Sequence, residues 1–300
     1  MIGSIVDTEF VWGFQARIVG LSKTSPSFYY PPPTTFLGAL AEVIAKENNI
    51  GEYFGRFIIN ELSRNLLAIG VRPINCVPIK YEDLNRIIAV KITSGKHYPD
   101  PEDLPKSFDS PARGKTILTS LNDDAPKLRW FLIFKDKTIA VQDENLKDKI
   151  DKIELDDEIF WKVHRLGSKE SRVCVVSVTL SKDVAIHSER RMITNYSFPT
   201  AVNPLEEKVR RWENEVYVNP FSGKIYTKEK KGKSTVEIGI FEKYYSGFKN
   251  LRVFKIPIIV SISNLPEYIV ETIDGWRAYS VVLEGRKEVV IGVDKVKLSS

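Results

Sequence analysis

The sequence predicts an α+β fold of the ferredoxin-like or RRM type, followed by a mostly β C-terminal portion. Three observations carry this expectation. The first 182 residues read in the order strand, helix, strand, strand, helix, strand, the βαββαβ order of that fold. A long run rich in Pro, Asp, Ser and Gly, about 94–126, interrupts that order. Beyond Asp183, β-branched and aromatic strand candidates dominate. The expected organisation is a domain at 1–182 with an insertion at about 94–126, and a mostly β domain at 183–300.

Ile2 to Phe14 alternates and is rich in Ile, Val, Phe and Trp, which predicts the first strand. A polar loop, Gln15 to Ser27, holds Arg17 and Lys23. Pro31-Pro32-Pro33 cannot continue a helix or pair in a central strand, so they form a stiff, extended lead-in. Thr34 or Thr35 then offers an N-cap hydroxyl. Phe36, Leu37, Leu40, Ala41, Val43 and Ile44 make an apolar stripe at helical spacing, ending before Asn48-Asn49-Ile50-Gly51.

Ile58 to Leu67 predicts a short helix and Arg86 to Thr93 a strand. Leu128 to Phe134 and Thr138 to Gln142 predict a hairpin around Lys135-Asp136-Lys137. Asn145 to Ile159 predicts an acidic amphipathic helix, and Val173 to Leu180 a continuous apolar strand. Further strands are expected at Val216 to Tyr226, Val236 to Glu242, Arg252 to Ile262, Tyr279 to Leu283 and Glu288 to Val293. A short helix is expected near Leu205 to Glu213.

The 300 residues are 43% apolar and 28% charged, enough for a sizeable core without crosslinks. The apolar runs fall far short of the ~18 residues that span a bilayer, so no membrane association is expected. The start carries acids early and no basic segment, so no secretory signal is expected. Cys76 and Cys174 are too few for a disulfide framework or a cysteine zinc site, which points to a reduced, cytoplasmic location. Few Met, Gln and Cys beside abundant Lys, Glu and Ile resemble a heat-adapted composition. The net charge of +5 tolerates a polyanion partner without demanding one. Residues 143–158 are acidic, whereas 162–191 and 208–255 are basic. The chain thus offers faces of opposite sign, or a salt-bridged solvated surface.

Motifs for catalysis are missing. There is no GxxxxGK[ST], no GxGxxG after a strand, and no HExxH, CxxC or GxSxG. His97, His164 and His187 are scattered, and no cofactor or metal is expected. A metal-independent ribonuclease needs only a base and a cation near phosphate. His164 beside Arg165, or His187 near Arg190, meets that requirement; the plainer reading leaves both at strand ends or on phosphate.

Binding features are richer. Phe28-Tyr29-Tyr30 precedes a helix N-terminus, placing aromatic faces for unpaired bases beside amides that attract phosphate. The alternative puts Phe28 and Tyr30 in the core. In Val163 to Arg172, the cations Arg165, Lys169 and Arg172 interleave with Gly167, Ser168 and Ser171, which suits a phosphodiester backbone. The alternative is an ordinary turn with solvated charges.

These residues carry a family likeness. Phe10-Val-Trp-Gly-Phe14, a polar loop, then Phe28-Tyr-Tyr-Pro-Pro-Pro-Thr-Thr-Phe-Leu-Gly-Ala-Leu-Ala41 resemble the start of the fifth family of CRISPR-associated proteins, part of the RAMP superfamily. The form is most like the archaeal subtype I-A version. Arg165 to Ser171 resembles a second segment of that family. The resemblance implies an RRM-like RAMP domain with an inserted thumb hairpin, for which Ser94 to Pro126 is the candidate. It implies a noncatalytic subunit of the type I Cascade complex that grips the 5′ repeat handle of the guide crRNA. Such a subunit caps the backbone of family-seven RAMP subunits, helps seat the family-eight large subunit, and meets target DNA only indirectly. Members of subtype I-C cut RNA, so a processing endoribonuclease is the first alternative. A type III effector subunit or a pure assembly scaffold is the second. The expected phosphate contacts are Arg17, Lys23, Lys96, Arg113, Lys115, Arg165, Lys169, Arg190 and Arg191. Tyr29 and Tyr30 are the stacking candidates, and Pro31 to Thr35, including Thr34, shape the pocket.

Overall fold

The structure is a computed structural model. It describes residues 1–16, 27–81, 87–88, 90–109, 114–187, 189, 191–200, 203–207, 212–225, 227–231, 234–238, 250–259, 261–263 and 265–295.

Strand β1, Ile2–Phe10, lies inside an antiparallel sheet, and short β2, Gly13–Phe14, continues the chain into another. The single strand expected over 2–14 is therefore two. Helix α1, Pro33–Glu47, follows the prolines, as expected. Its cap differs. Pro32 holds the N-cap position and no side chain caps the helix. Pro33 suits the first turn because its missing N–H is one that no helix bond would use. Thr34 and Thr35 therefore already lie in the first turn, where the Thr35 amide donates to Pro32 O at 2.8 Å. Helix α2, Glu52–Asn65, starts earlier than expected. Leu66 and Leu67 leave it for β3, Leu66–Pro73.

Strand β4, Cys76–Tyr81, pairs with β5, Lys115–Ser120. The excursion from the central sheet thus runs over 74–126 and is wider than 94–126. Among the described residues, the segment expected as one strand at 86–93 holds the short strands Ile87–Ile88 and Lys91–Thr93, the latter paired with Lys96–Tyr98. Strand β6, Lys127–Phe134, returns to the centre between β1 and β3. Thr138–Ala140 does not form a hairpin with it but pairs with Lys152–Glu154.

That pairing splits the expected acidic helix into α3, Glu144–Lys147, and α4, Asp157–Trp161. Each piece has its own aspartate cap: Asp143 accepts from the Asn145 amide and Asp156 from the Ile159 amide. Between them Ile153 and Leu155 are buried two residues apart, the period of a strand. Strand β7, Val173–Ser181, forms one edge of the sheet, with Cys174 and Val176 exposed.

Past 182 the chain forms small sheets of its own but also returns to the central one. Strands β8, Ala185–His187, then β11, Trp276–Leu283, and β12, Arg286–Val293, extend the central sheet, whose order is β7-β1-β6-β3-β12-β11-β8. Here β9, Trp212–Val218, and β10, Leu251–Pro257, belong to a small sheet with Phe198–Pro199. The boundary expected at 182 is therefore crossed by one sheet and one core. The helix expected near 205–213 is instead strand Asn203–Glu207 and the start of β9, with 208–211 outside the described residues. Strand Ser234–Ile238 covers part of the expected 236–242; 239–242 lie outside.

The helices cover one face of the central sheet, where Val6, Trp130, Leu132, Ile69 and Val71 are buried; the Phe36 ring lies 4.7 Å from that of Trp130. Ile5, Phe131, Ile133 and Val290 line the other face beside Tyr196. That face also carries a charge ladder across four strands. Arg129 forks onto Asp7 at 2.7 Å twice, and Glu288 takes Arg72 at 3.1 Å and Arg129 at 3.4 Å. Among the described residues no helix is long and apolar enough to cross a membrane.

Candidate nucleic-acid interface

Trp12 to Gln15 meets the turn at 167–171, although some 155 residues of chain separate them. The Trp12 indole donates to Glu170 O at 3.0 Å. The Gln15 amide donates to Ser171 Oγ at 2.9 Å, and the Ser168 amide donates back to Gln15 O at 2.9 Å. Gly167 allows this with a φ of 133°; a Cβ there would stand 2.8 Å from both Gln15 O and Ser171 Oγ. Gly13, at φ 148°, lets β2 press against β5, since a Cβ would stand 2.1 Å from Thr116 O.

Ala16 and Ser27 flank residues 17–26, which lie outside the described residues. These flanks form a closed base. Ser27 Oγ donates to Ala16 O at 3.2 Å, and Thr116 Oγ1 donates to Phe28 O with Ser27 Oγ 3.0 Å away. Lys115, Lys169 and Arg172 are exposed around this base. Glu170 sits among them, its carboxyl held below the ordinary range first by the Ser168 hydroxyl, with Lys169 and Lys115 adding.

Arg165 is matched by a carboxylate: its Nη2 lies 2.8 Å from Glu42 Oε2 on α1. Burial opposes ionisation of Glu42, but Lys46 and Arg165 together bring its carboxyl below the usual value. Arg165 therefore fastens the turn to α1, while Lys169 projects outward.

The proline lead-in is not an open cradle. Tyr30 is fully buried and its hydroxyl donates to Pro257 O at 2.9 Å. Phe28 packs on Tyr217 at 5.2 Å, and Thr34 is buried as well. Strands β9 and β10 supply the contacts of Phe28 and Tyr30, so Tyr30 serves the core and not a stacking surface, and the Thr34 expected to shape an open pocket is buried in the first turn of α1. Thr35 is half-buried in the first turn of α1. Tyr29 is half-buried too, with Lys80 Nζ 3.6 Å above its ring and Glu215 accepting from its amide at 2.8 Å. Burial, then Glu213 and Glu215, raises the Tyr29 phenol.

Two other expected cations, Lys96 and Arg191, lie on other elements. Lys96 is exposed on its ribbon and paired with Asp100 at 2.8 Å. Arg191 is exposed opposite Glu271 in a separate three-stranded sheet. Arg17, Lys23, Arg113 and Arg190 lie outside the described residues. The histidines stay apart: His164 Nδ1 is 3.2 Å from Lys162 O, and His187 Nε2 is 2.8 Å from Ser280 Oγ. Among the described residues no group of three or more His, Cys, Asp or Glu is placed to hold a metal ion. Sequence reading assigned nothing to Trp12, Lys80 or Glu215. Trp12 stood inside a quoted motif, but nothing local marked Lys80 or Glu215, whose partners are remote in sequence.

No protein-family model matches the chain. A crystal structure of a CRISPR protein from Archaeoglobus fulgidus is 46% identical, with 98% of this chain and 100% of that chain covered and a TM-score of 0.66. Two curated relatives come from Saccharolobus solfataricus. The CRISPR system aCascade subunit Cas5 1 is 25% identical over 73% of this chain and 82% of its own length. The CRISPR-associated protein Cas5 3 is 26% identical over the same shares. This chain belongs to the Cas5 family of CRISPR-associated proteins. The Cas5 likeness carried by residues 10–41 and 165–171 is thus borne out. Within this Cas5 chain those two segments are joined through Trp12, Gln15, Ser168 and Ser171.

Proposed function

We propose that this Cas5-family chain is a noncatalytic subunit of a type I-A Cascade complex and holds the 5′ repeat handle of the guide RNA. The observation that carries the reading is the latch between Trp12–Gln15 and Gly167–Ser171, with Lys115, Lys169 and Arg172 exposed around the base of the 16–27 loop. One relative is named as an aCascade subunit. The strand order β7-β1-β6-β3 with helices on one face fits the ferredoxin-like quartet.

A short handle is single-stranded, so its phosphates can be neutralised by the cations and its bases read at their edges. Tyr29, half-buried beneath Lys80, is the stacking group that remains. Target sequence is then read by guide pairing, as in other RNA-guided effectors. The 74–126 excursion takes the place of the thumb. Backbone subunits of family seven and the large subunit of family eight are the proposed partners, in the cytoplasm.

Filter binding of a labelled repeat-derived single strand across a salt series tests this. Binding that weakens steeply with salt, and weakens again in Lys115→Glu/Lys169→Glu, supports it; a flat salt response favours a scaffold. Repeat RNA incubated with the protein in chelator is expected to stay intact. Site-specific cleavage lost in His164→Ala or His187→Ala would establish the ribonuclease reading instead.

A further inference from the structure

Glu215 lies on β9, C-terminal to every residue expected from the sequence to touch RNA. Its side chain is 4% exposed, yet it is ringed by three donors. The Tyr29 amide reaches Oε1 at 2.8 Å and Lys80 Nζ reaches Oε1 at 2.9 Å. The Tyr217 hydroxyl reaches Oε2 at 2.6 Å. The same Lys80 ammonium stands 3.6 Å from the Tyr29 ring centroid. Three remote segments therefore meet at one carboxylate: the proline lead-in, the 74–126 excursion and the C-terminal small sheet.

The surroundings do not favour a charge. Phe28 and Phe254 flank the Tyr217 ring at 5.2 and 5.3 Å. Burial lifts the Glu215 carboxyl despite Lys80, Tyr217 and the Tyr29 amide. An apolar residue of similar volume would serve packing at least as well. What the carboxylate adds is orientation. A lysine on a strand is rotamer-rich, and fixing it before an anion arrives removes that ordering cost from binding.

We infer that Glu215 is a positioning residue, clamping Lys80 over the Tyr29 ring so that cation and aromatic face the RNA as one preset unit. This rests on the RNA-binding reading above. It carries an unusual sign. Simple electrostatics says that removing a carboxylate beside an RNA tightens binding; the clamp says that it weakens it.

The experiment is fluorescence anisotropy with a 5′-labelled single-stranded RNA octanucleotide, on the full chain. The proteins are wild type, Glu215→Gln, Lys80→Met, the double variant, and Lys115→Glu/Lys169→Glu. Glu215→Gln and Lys80→Met are each expected to weaken binding about three- to tenfold, the range for ordering one long side chain. The double variant is expected to bind like Lys80→Met alone, because Glu215 acts through Lys80. Glu215→Gln binding as tightly as wild type or more tightly overturns the inference, as do losses that simply multiply in the double variant. Should Glu215→Gln fail to fold, Tyr217→Phe removes one of the carboxylate's partners with little change in shape. Its loss of affinity must vanish in the Lys80→Met background, and persistence there is equally fatal. If wild-type binding ignores both salt and Lys115→Glu/Lys169→Glu, the RNA reading falls and takes the clamp with it. If it responds to both while Glu215→Gln is silent, the clamp alone falls.

Discussion

The Gln15 amide donates to Ser171 Oγ at 2.9 Å across 156 positions of chain. With the return bond from the Ser168 amide to Gln15 O, this ties the end of β2 to the turn before β7. The tie sets where Gln15 and Ala16 stand and which cations lie beside them.

Gly167→Ala should break that tie. The new Cβ would stand 2.8 Å from Gln15 O and Ser171 Oγ, and at φ 133° the backbone itself is strained for any other residue. A loss of about 1–3 kcal/mol in urea unfolding is expected, together with weaker RNA binding. Wild-type stability and affinity in this variant would show the turn to be independent of the loop base.

The central sheet should depend on Glu288. It bridges Arg72 and Arg129, and with Glu288→Ala the Arg72 guanidinium, 8% exposed, loses its carboxylate. Breaking a buried pair from one side costs about 3–5 kcal/mol. Denaturant titration of Glu288→Ala reads this directly, and a loss below about 1 kcal/mol, the size of a surface pair, would mean the ladder is dispensable.

The two thiols should react very differently. Burial pushes Cys76 up to about 12, whereas Cys174 is exposed on the edge strand. At pH 8 a disulfide reagent is expected to titrate one thiol in the native protein and both after unfolding. Raising the pH toward 10 should not expose the second while the fold holds, because the buried thiol is still protonated there. Rapid double labelling at pH 8 would contradict the packing around Cys76.

Each phosphate-contacting cation should appear in the salt slope. For single strands log K changes with log salt by about −0.7 per phosphate neutralised. Lys115→Ala and Lys169→Ala are each expected to reduce the slope by roughly that amount. Lys96→Ala, whose lysine already pairs with Asp100, is expected to change it little.

How much of this was legible in the sequence follows from which contacts are local. Helix α1 was, because Phe36, Leu37, Leu40, Val43 and Ile44 repeat at helical spacing and Pro33 and Asn48 bound them. Strand β7 was, because an uncharged β-branched run has few other options. Residues 145–159 were misread, because acidic spacing suggested one helix while the pairing of Lys152–Glu154 with Thr138–Ala140 is non-local. Strand β3 was hidden because Leu66 and Leu67 continue the apolar pattern of α2 without a turn residue between. The site divides in the same way. Its motifs could be quoted, but the burial of Tyr30 comes from Pro257, and the partner of Lys80 is Glu215, both far along the chain.

The central claim is that the leading end of a short single strand sits at the base of the 16–27 loop. Photo-crosslinking tests it most directly. A repeat-derived RNA with 4-thiouridine near its 5′ end is bound to the full chain, irradiated, and the crosslinked peptides are mapped by mass spectrometry. The account predicts crosslinks confined to 12–29, 80–81, 115–117 and 165–172. Crosslinks concentrated on the Arg191–Thr194 sheet, or on the acidic face at 143–158, would contradict it.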